Sequence, residues 1–450
     1  MKWENLLSPI RLGCDTTPEW SEPSRNEYQR DFDRIAFSHA FRRLQGKTQV
    51  FPMPANDLVH NRLTHSVESA SVGRFLGGIV ASAIGQDVEL FSSVVGAACL
   101  AHDIGNPPFG HSGESAIAGF FQHEEGAKFM ERLTAEESAD FTKFEGNAMA
   151  LRMLCHRKPA KTQVLGGERL TYTTLAAFVK YPRISALRTV DTSLASQKKV
   201  GIFRSELTSF QRIAAALGLK DHGTDKCCWV RHPLAFLVEA ADDIAYKVAD
   251  AEDGLKMHYV SKGVLSDVFH TIASAHFDKK DLNTGLNRIT DKVEKVGFLR
   301  AKAMNSLIYQ AADVFKNNES AILDGTFDEP LLKKTSSADD IKRLSDITAD
   351  RIYTAAPVVQ IEAAGYEVLP GLLKMFLQAV LDRRGTGWGG KIAQCIPNEY
   401  REVSSHAEIG VSYTYEQIMS VAEFVCAMTD RYAINLFRTL RGISLPRYDM

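Results

Sequence analysis

The chain is poor in the features that mark several large protein classes. It has seven cysteines in 450 residues, at Cys14, Cys99, Cys155, Cys227, Cys228, Cys395 and Cys426, with no CxxC spacing. A zinc knuckle and a disulfide framework are therefore not expected. Charge of one sign is lacking too: the net charge is -2, so no bulk basic field invites nucleic acid or an anionic membrane. The opening residues 1–13 lack the continuous apolar run of a signal peptide. No stretch reads as the roughly 18 consecutive apolar residues of a membrane span. These absences lead us to expect a reduced, cytoplasmic protein. What is present is ordinary for a folded chain, 45% hydrophobic and 24% charged, which excludes disordered and collagen-like classes.

Helical periodicity dominates. It predicts helices near 26–45, 61–84, 88–103, 112–122, 140–156, 172–180, 203–217, 232–253, 286–316, 338–354, 358–383 and 414–441. Only 160–172, with Gly166-Gly167 as its turn, reads as a small β-hairpin. Polar stretches at 277–285 and 324–338 read as linkers. The expectation is an all-α protein with a chemical core over 24–260. A helical region over 261–450, carrying no motif of its own, would pack on that core. Two decoys fall away. Gly46-Lys47-Thr48 resembles the end of a phosphate-binding loop, but Phe41 stands where that motif needs glycine. The GxGxxG at Gly385–Gly390 follows a helical run rather than a strand.

Four local signals bear on chemistry, and each has a plainer reading. His102-Asp103 ends an apolar, buried-looking helix just before Pro107-Pro108 stops it. Such a pair offers N and O ligands to a divalent metal, or is a surface pair at a helix end. Arg62 and His65 lie one helical turn apart, a phosphate clamp beside a ligand or two ordinary solvated groups. Asp242, Tyr246 and Asp250 form an i, i+4, i+8 line at the border of an apolar stripe, metal-seeking or simply amphipathic. His111 and Glu114 meet at a helix start, either an oriented acid–base pair or a cap. Singly none decides. Together, His65, then His102-Asp103, then Asp242 is the H…HD…D ligand order of the HD superfamily.

With that order in view, the sequence resembles the bacterial dGTP triphosphohydrolase family. The shared words are Arg42-Arg43-Leu44-Gln45-Gly46-Lys47, Asn61-Arg62-Leu63-Thr64-His65, His102-Asp103 through His111 to Glu114, Phe144-Glu145-Gly146-Asn147, Lys180-Tyr181-Pro182, and Glu239 through Asp242 to Tyr246. Met428-Thr429-Asp430-Arg431-Tyr432-Ala433 resembles the family's C-terminal helix. More distantly the pattern is similar to the animal SAM-and-HD-domain dNTP hydrolase. The resemblance implies hydrolysis of a dNTP, dGTP first, to deoxynucleoside and inorganic triphosphate. It implies His65, His102, Asp103 and Asp242 as ligands of a divalent metal, Mn²⁺ or Mg²⁺ ahead of Zn²⁺, Fe²⁺ or Ni²⁺. It implies His111 and Glu114 as the catalytic pair, with His111 a general acid or a nucleophile. Arg62, Asn147, Lys180 and Lys199 would contact the triphosphate; Gln45, Tyr246 and Asp250 would bracket the deoxyribose. A homo-oligomer, a hexamer in many relatives, and a single-stranded DNA or nucleotide effector are further implications, with no membrane partner. Asn106 departs from the family word, which commonly has histidine before the two prolines.

Overall fold

The computed structural model describes residues 1–14, 25–52, 58–156, 167–187, 189–222, 226–381, 387–401 and 410–444. Among them are twenty-two α-helices and no strand; β pairing is confined to isolated bridges such as Thr48 with Asn61. The all-α expectation holds. The proposed hairpin falls mostly on residues 160–166, which lie outside the described residues.

Eight helices place the site. Helix α1 (Arg62–Ile84) starts where the Asn61 side chain accepts Thr64 N–H and the Thr64 hydroxyl accepts Asn61 N–H. It ends at Gly85, left-handed at φ 72°. Helix α2 (Val88–Ala101) is capped by Asp87 and is buried continuously from Ser93 to its end. The two helices pack closely because α1 has a glycine at the crossing: a Cβ on Gly73 would stand 2.6 Å from the Cys99 sulfur. Helices α3 (Gly110–Gln122) and α4 (Gly146–Cys155) follow. Helix α5 (Pro233–Lys256) begins with proline at its first position and packs on both α1 and α2.

The second half is not mere packing material. Helix α6 (Ala356–Leu381) lies on α3, α7 (Tyr413–Cys426) packs on α6, and α8 (Asp430–Leu440) follows it. One hydrophobic core runs from Trp3 to Phe437. Two sequence expectations change here. The stretch 277–285, read as a linker, carries most of the helix Lys279–Asn287, capped by Asp278. And α1 is long and apolar enough to cross a membrane by length and composition, with a mean hydropathy of 1.2 over its best 18 residues. Its alanines, glycines and serines hid that from a count of large apolar residues. In this fold it is a core helix, lying against α2 and α5 with Arg62 and His65 buried in its first turn.

Candidate metal centre and cleft

Three helix-borne side chains converge from α1, the end of α2, and α5. His65 Nε2 lies 3.1 Å and His102 Nε2 3.2 Å from Asp242 Oδ1. One ligand atom from each of the three lies within 4.8 Å of the others. His102 Nδ1 sits 2.7 Å from the Cys99 carbonyl, so Nδ1–H donates there and Nε2 keeps its lone pair for the cluster. His65 Nδ1 is buried with no hydrogen-bond partner.

Asp103 adjoins the set, with Oδ1 3.4 Å from His102 Nε2. It is already engaged. Arg62 donates to its Oδ2 at 2.8 Å, and the Asn106 amide donates to its Oδ1. Lys180 Nζ stands 2.6 Å from the second oxygen of Asp242. Burial alone would push both carboxyls up. For Asp242, His102 and Lys180 outweigh burial; for Asp103, Arg62 and the histidines do so, and both fall well below the usual carboxylate range. Two imidazole nitrogens and two held anions suit a hard or borderline divalent cation. The residues therefore fit a metal, with both aspartates at present held by cations, Asp103 by Arg62 and Asp242 by Lys180.

The start of α3 carries the next pair. His111 Nδ1 is 2.8 Å from Glu114 Oε2, and Glu114 Oε1 accepts the Gly146 N–H at 2.7 Å. Burial would raise the Glu114 carboxyl, but His111, Lys199 and that N–H outweigh it and lower it. Gly113 is required between them, since a Cβ there would run into the Pro108 carbonyl. The His111 side chain is 79% exposed, so its other nitrogen is open to a ligand.

Both groups face a cleft of about 450 Å³, within the range of small-ligand pockets. The cleft brings together His65, His102, Asp103 and Asp242 with His111, Arg62, Asn147, Lys180, Lys199 and Tyr246. Lys199 Nζ lies 3.3 Å from Glu145. A smaller cavity of about 300 Å³ adjoins behind His111, with Glu114 and Glu145 in its wall.

Two expected sugar contacts are not in the wall. Gln45 is exposed on the short turn Leu44–Gly46 and does not line the cleft; Gln49, four residues on, does, with its buried Oε1 unpartnered. Asp250 is 1% exposed and sits behind Tyr353, whose hydroxyl donates to it at 2.6 Å and also meets the Tyr246 hydroxyl. Burial pushes Asp250 up to about 7, partly offset by that hydrogen bond. Tyr353 was not foreseen, and neither were Val358, Ile361 and Glu362, which close the far wall. No local pattern in the sequence marks them. Lys47, of the first decoy, is buried, donates to the Asn106 and Cys426 carbonyls at 2.5 and 2.7 Å, and does not line the cleft.

A helical core with this order of histidines and aspartates defines an HD-type centre, and the family model for the HD domain matches residues 62–187. That span holds every ligand candidate except Asp242 on α5. Over 99% of this chain and all of theirs, the chain is 38% identical to a deoxyguanosinetriphosphate triphosphohydrolase-like protein of Synechocystis and 34% identical to one of Pseudomonas aeruginosa. It is 29% identical to the deoxyguanosinetriphosphate triphosphohydrolase of Salmonella paratyphi A, covering 92% of this chain and 94% of that one. The chain belongs to the deoxyguanosinetriphosphate triphosphohydrolase-like family.

Proposed function

We propose that this enzyme hydrolyses deoxynucleoside triphosphates, dGTP first among them, to deoxynucleoside and inorganic triphosphate. The observation that carries the reading is the His65–His102–Asp242 cluster opening into a cleft lined by Arg62, Lys180 and Lys199. His65, His102, Asp103 and Asp242 would hold a divalent cation, Mn²⁺ or Mg²⁺. Such a cation polarises a phosphate oxygen and acidifies a bound water. Arg62 and Lys180 now neutralise Asp103 and Asp242. Both stand in the wall, placed to exchange those carboxylates for phosphate oxygens and hold the triphosphate in line. Glu114 fixes the His111 ring through Nδ1, so the opposite nitrogen can deliver a proton to the 5′ oxygen as it leaves.

The test is incubation of the pure protein with each dNTP and Mn²⁺ or Mg²⁺, followed by phosphorus NMR. Inorganic triphosphate is the expected product. Deoxynucleoside monophosphate with pyrophosphate would overturn the reading.

Sugar selection follows from the tyrosine pair. Tyr246 is anchored in α5 and tied by its hydroxyl to Tyr353, so its ring forms a fixed wall rather than a mobile one. Placed under C2′, that wall leaves no space for a ribose hydroxyl. Tyr246→Ala is expected to lower dGTP turnover and to collapse the dGTP-over-GTP preference by more than about tenfold, the scale of about 1.4 kcal/mol. An unchanged ratio in a folded variant would reduce Tyr246 to a packing residue.

The family resemblance and the long helical second half favour a homo-oligomer, with a hexamer as the expected form. Light scattering is expected to give a mass several times the 49.9 kDa of one chain. A stable monomer would reject this.

A further inference from the structure

The segment Met428–Ala433 shares a word with the family yet lies outside the cleft wall. Its Asp430 is 1% exposed and is the first residue of α8. The carboxylate spends both oxygens on backbone far away in sequence. Oδ1 accepts the Phe109 N–H at 3.1 Å, and Oδ2 accepts the Thr48 N–H at 2.9 Å. Thr48 lines the cleft. Phe109 immediately precedes α3, two residues before His111, and its side chain makes no cap for that helix.

Phe109 is also left-handed, at φ 66°. A bulky residue there is strained and persists only where its surroundings impose the conformation. Two constraints do so. Its ring packs so closely on α6 that a Cβ at Gly365 would come within 2.9 Å of it. Its N–H is held by the Asp430 carboxylate, a charge-assisted bond in a site closed to water. Lys47 reinforces the same junction, joining the Asn106 carbonyl to the Cys426 carbonyl at the end of α7. The turn that launches the His111–Glu114 pair is thus tied at both ends to the α7–α8 connection.

We propose that Asp430 is a positioning residue for the His111–Glu114 pair, holding Phe109 in the one backbone conformation that starts α3 with His111 facing the cleft. The proposal rests on the triphosphohydrolase reading for its effect on rate, and on geometry alone for its effect on the turn.

The test compares Asp430→Ala with Asp291→Ala in the full chain. Asp291 also accepts two backbone N–H groups, those of Val293 and Glu294, but at an exposed helix start away from the cleft. In Asp430→Ala, amide exchange of the peptide over 105–112 is expected to rise at least about tenfold. Bound metal is expected to be unchanged, KM to move less than about threefold, and kcat to fall about 10- to 100-fold, the scale of a small misplacement of a reacting group. Asp291→Ala is expected to leave kcat and the 105–112 exchange as in the wild type. Should Asp430→Ala not fold, Asp430→Leu, close in size but with no acceptor, carries the same comparison. Unchanged exchange over 105–112 overturns the proposal, and so does faster exchange with an unchanged kcat. A wild-type protein that hydrolyses no dNTP would sink the triphosphohydrolase reading instead, with the exchange result still deciding the contact.

Discussion

Asp242→Ala is expected to yield a folded protein with no bound metal and with turnover lowered on the order of 10³-fold or more. The magnitude follows from where the carboxylate sits. One oxygen is the common neighbour of both histidine Nε2 atoms, and the other holds Lys180. Removing it takes away the anion at the centre of the set and leaves the Lys180 cation beside two imidazoles. Asp103 would remain as the one anionic ligand candidate, with its oxygens shared with Arg62 and Asn106. Elemental analysis after dialysis decides the matter. A variant that kept full metal content would show the ligand set to be wrongly drawn, whatever its activity. Asp242→Asn, which keeps volume and loses charge, separates the loss of a ligand from the loss of packing.

Arg152→Ala is expected to cost about 3–5 kcal/mol of folding stability, the scale of stripping one partner from a buried ion network. The Arg152 guanidinium is fully buried on α4. Its Nε is 3.0 Å from Glu423, its two terminal nitrogens reach Glu416 and Glu206 at 2.9 and 3.5 Å, and the Ser205 hydroxyl accepts at 3.0 Å. Without it, three buried carboxylates lose the guanidinium that they share, with the His156 imidazole 3.6 Å from two of them. The pH dependence gives a second readout. In the wild type, burial would raise the Glu416 carboxyl, but Arg152 and His156 outweigh it and lower it below its ordinary 4.5. That pairing stabilises the fold above pH 4.5 and is lost as pH falls through the lowered value. In the variant the sign reverses: with the arginine gone, burial and mutual repulsion favour protonated carboxyls, so the deficit is largest at neutral pH and shrinks toward pH 5. Denaturant titrations at pH 7.5 and 5 check this. A deficit below about 1 kcal/mol at both would mean that the network can close without its arginine.

The candidate metal cluster was legible because each member sits in a short, chemically odd word in or at the end of a helix: a histidine one turn after an arginine, a His-Asp pair at the end of an apolar run, an aspartate on the edge of a stripe. Helix periodicity then told which face each would present. The far wall was not legible. Tyr353 and Glu362 lie in stretches whose residues are unremarkable; Glu362 lines the cleft from α6, which packs on α3, and Tyr353 from the turn just before α6. Gln45 and Gln49 are four residues apart, and periodicity does not operate over 47–52, which follow the short turn without forming a helix. Asp250 was correctly placed two turns beyond Asp242, yet the helical line could not show a tyrosine from elsewhere standing in front of it. Likewise Arg152 looked like one more charge on a predicted helix, because its three acidic partners come from two distant segments. Chemistry carried by a local word could be read; chemistry carried by a meeting of remote words could not.

The clasp between Asp430 and the Phe109 turn also sets a timetable. The two residues are 321 positions apart, so at about 5–20 residues per second a ribosome needs about 15–60 s to travel from one to the other. Long-range closures of this kind come late in folding as well. A nascent chain can carry all four metal-ligand candidates well before Asp430 is there to fasten the turn that precedes His111. Synthesis itself would then separate in time the making of the candidate ligand set from the fastening of that turn.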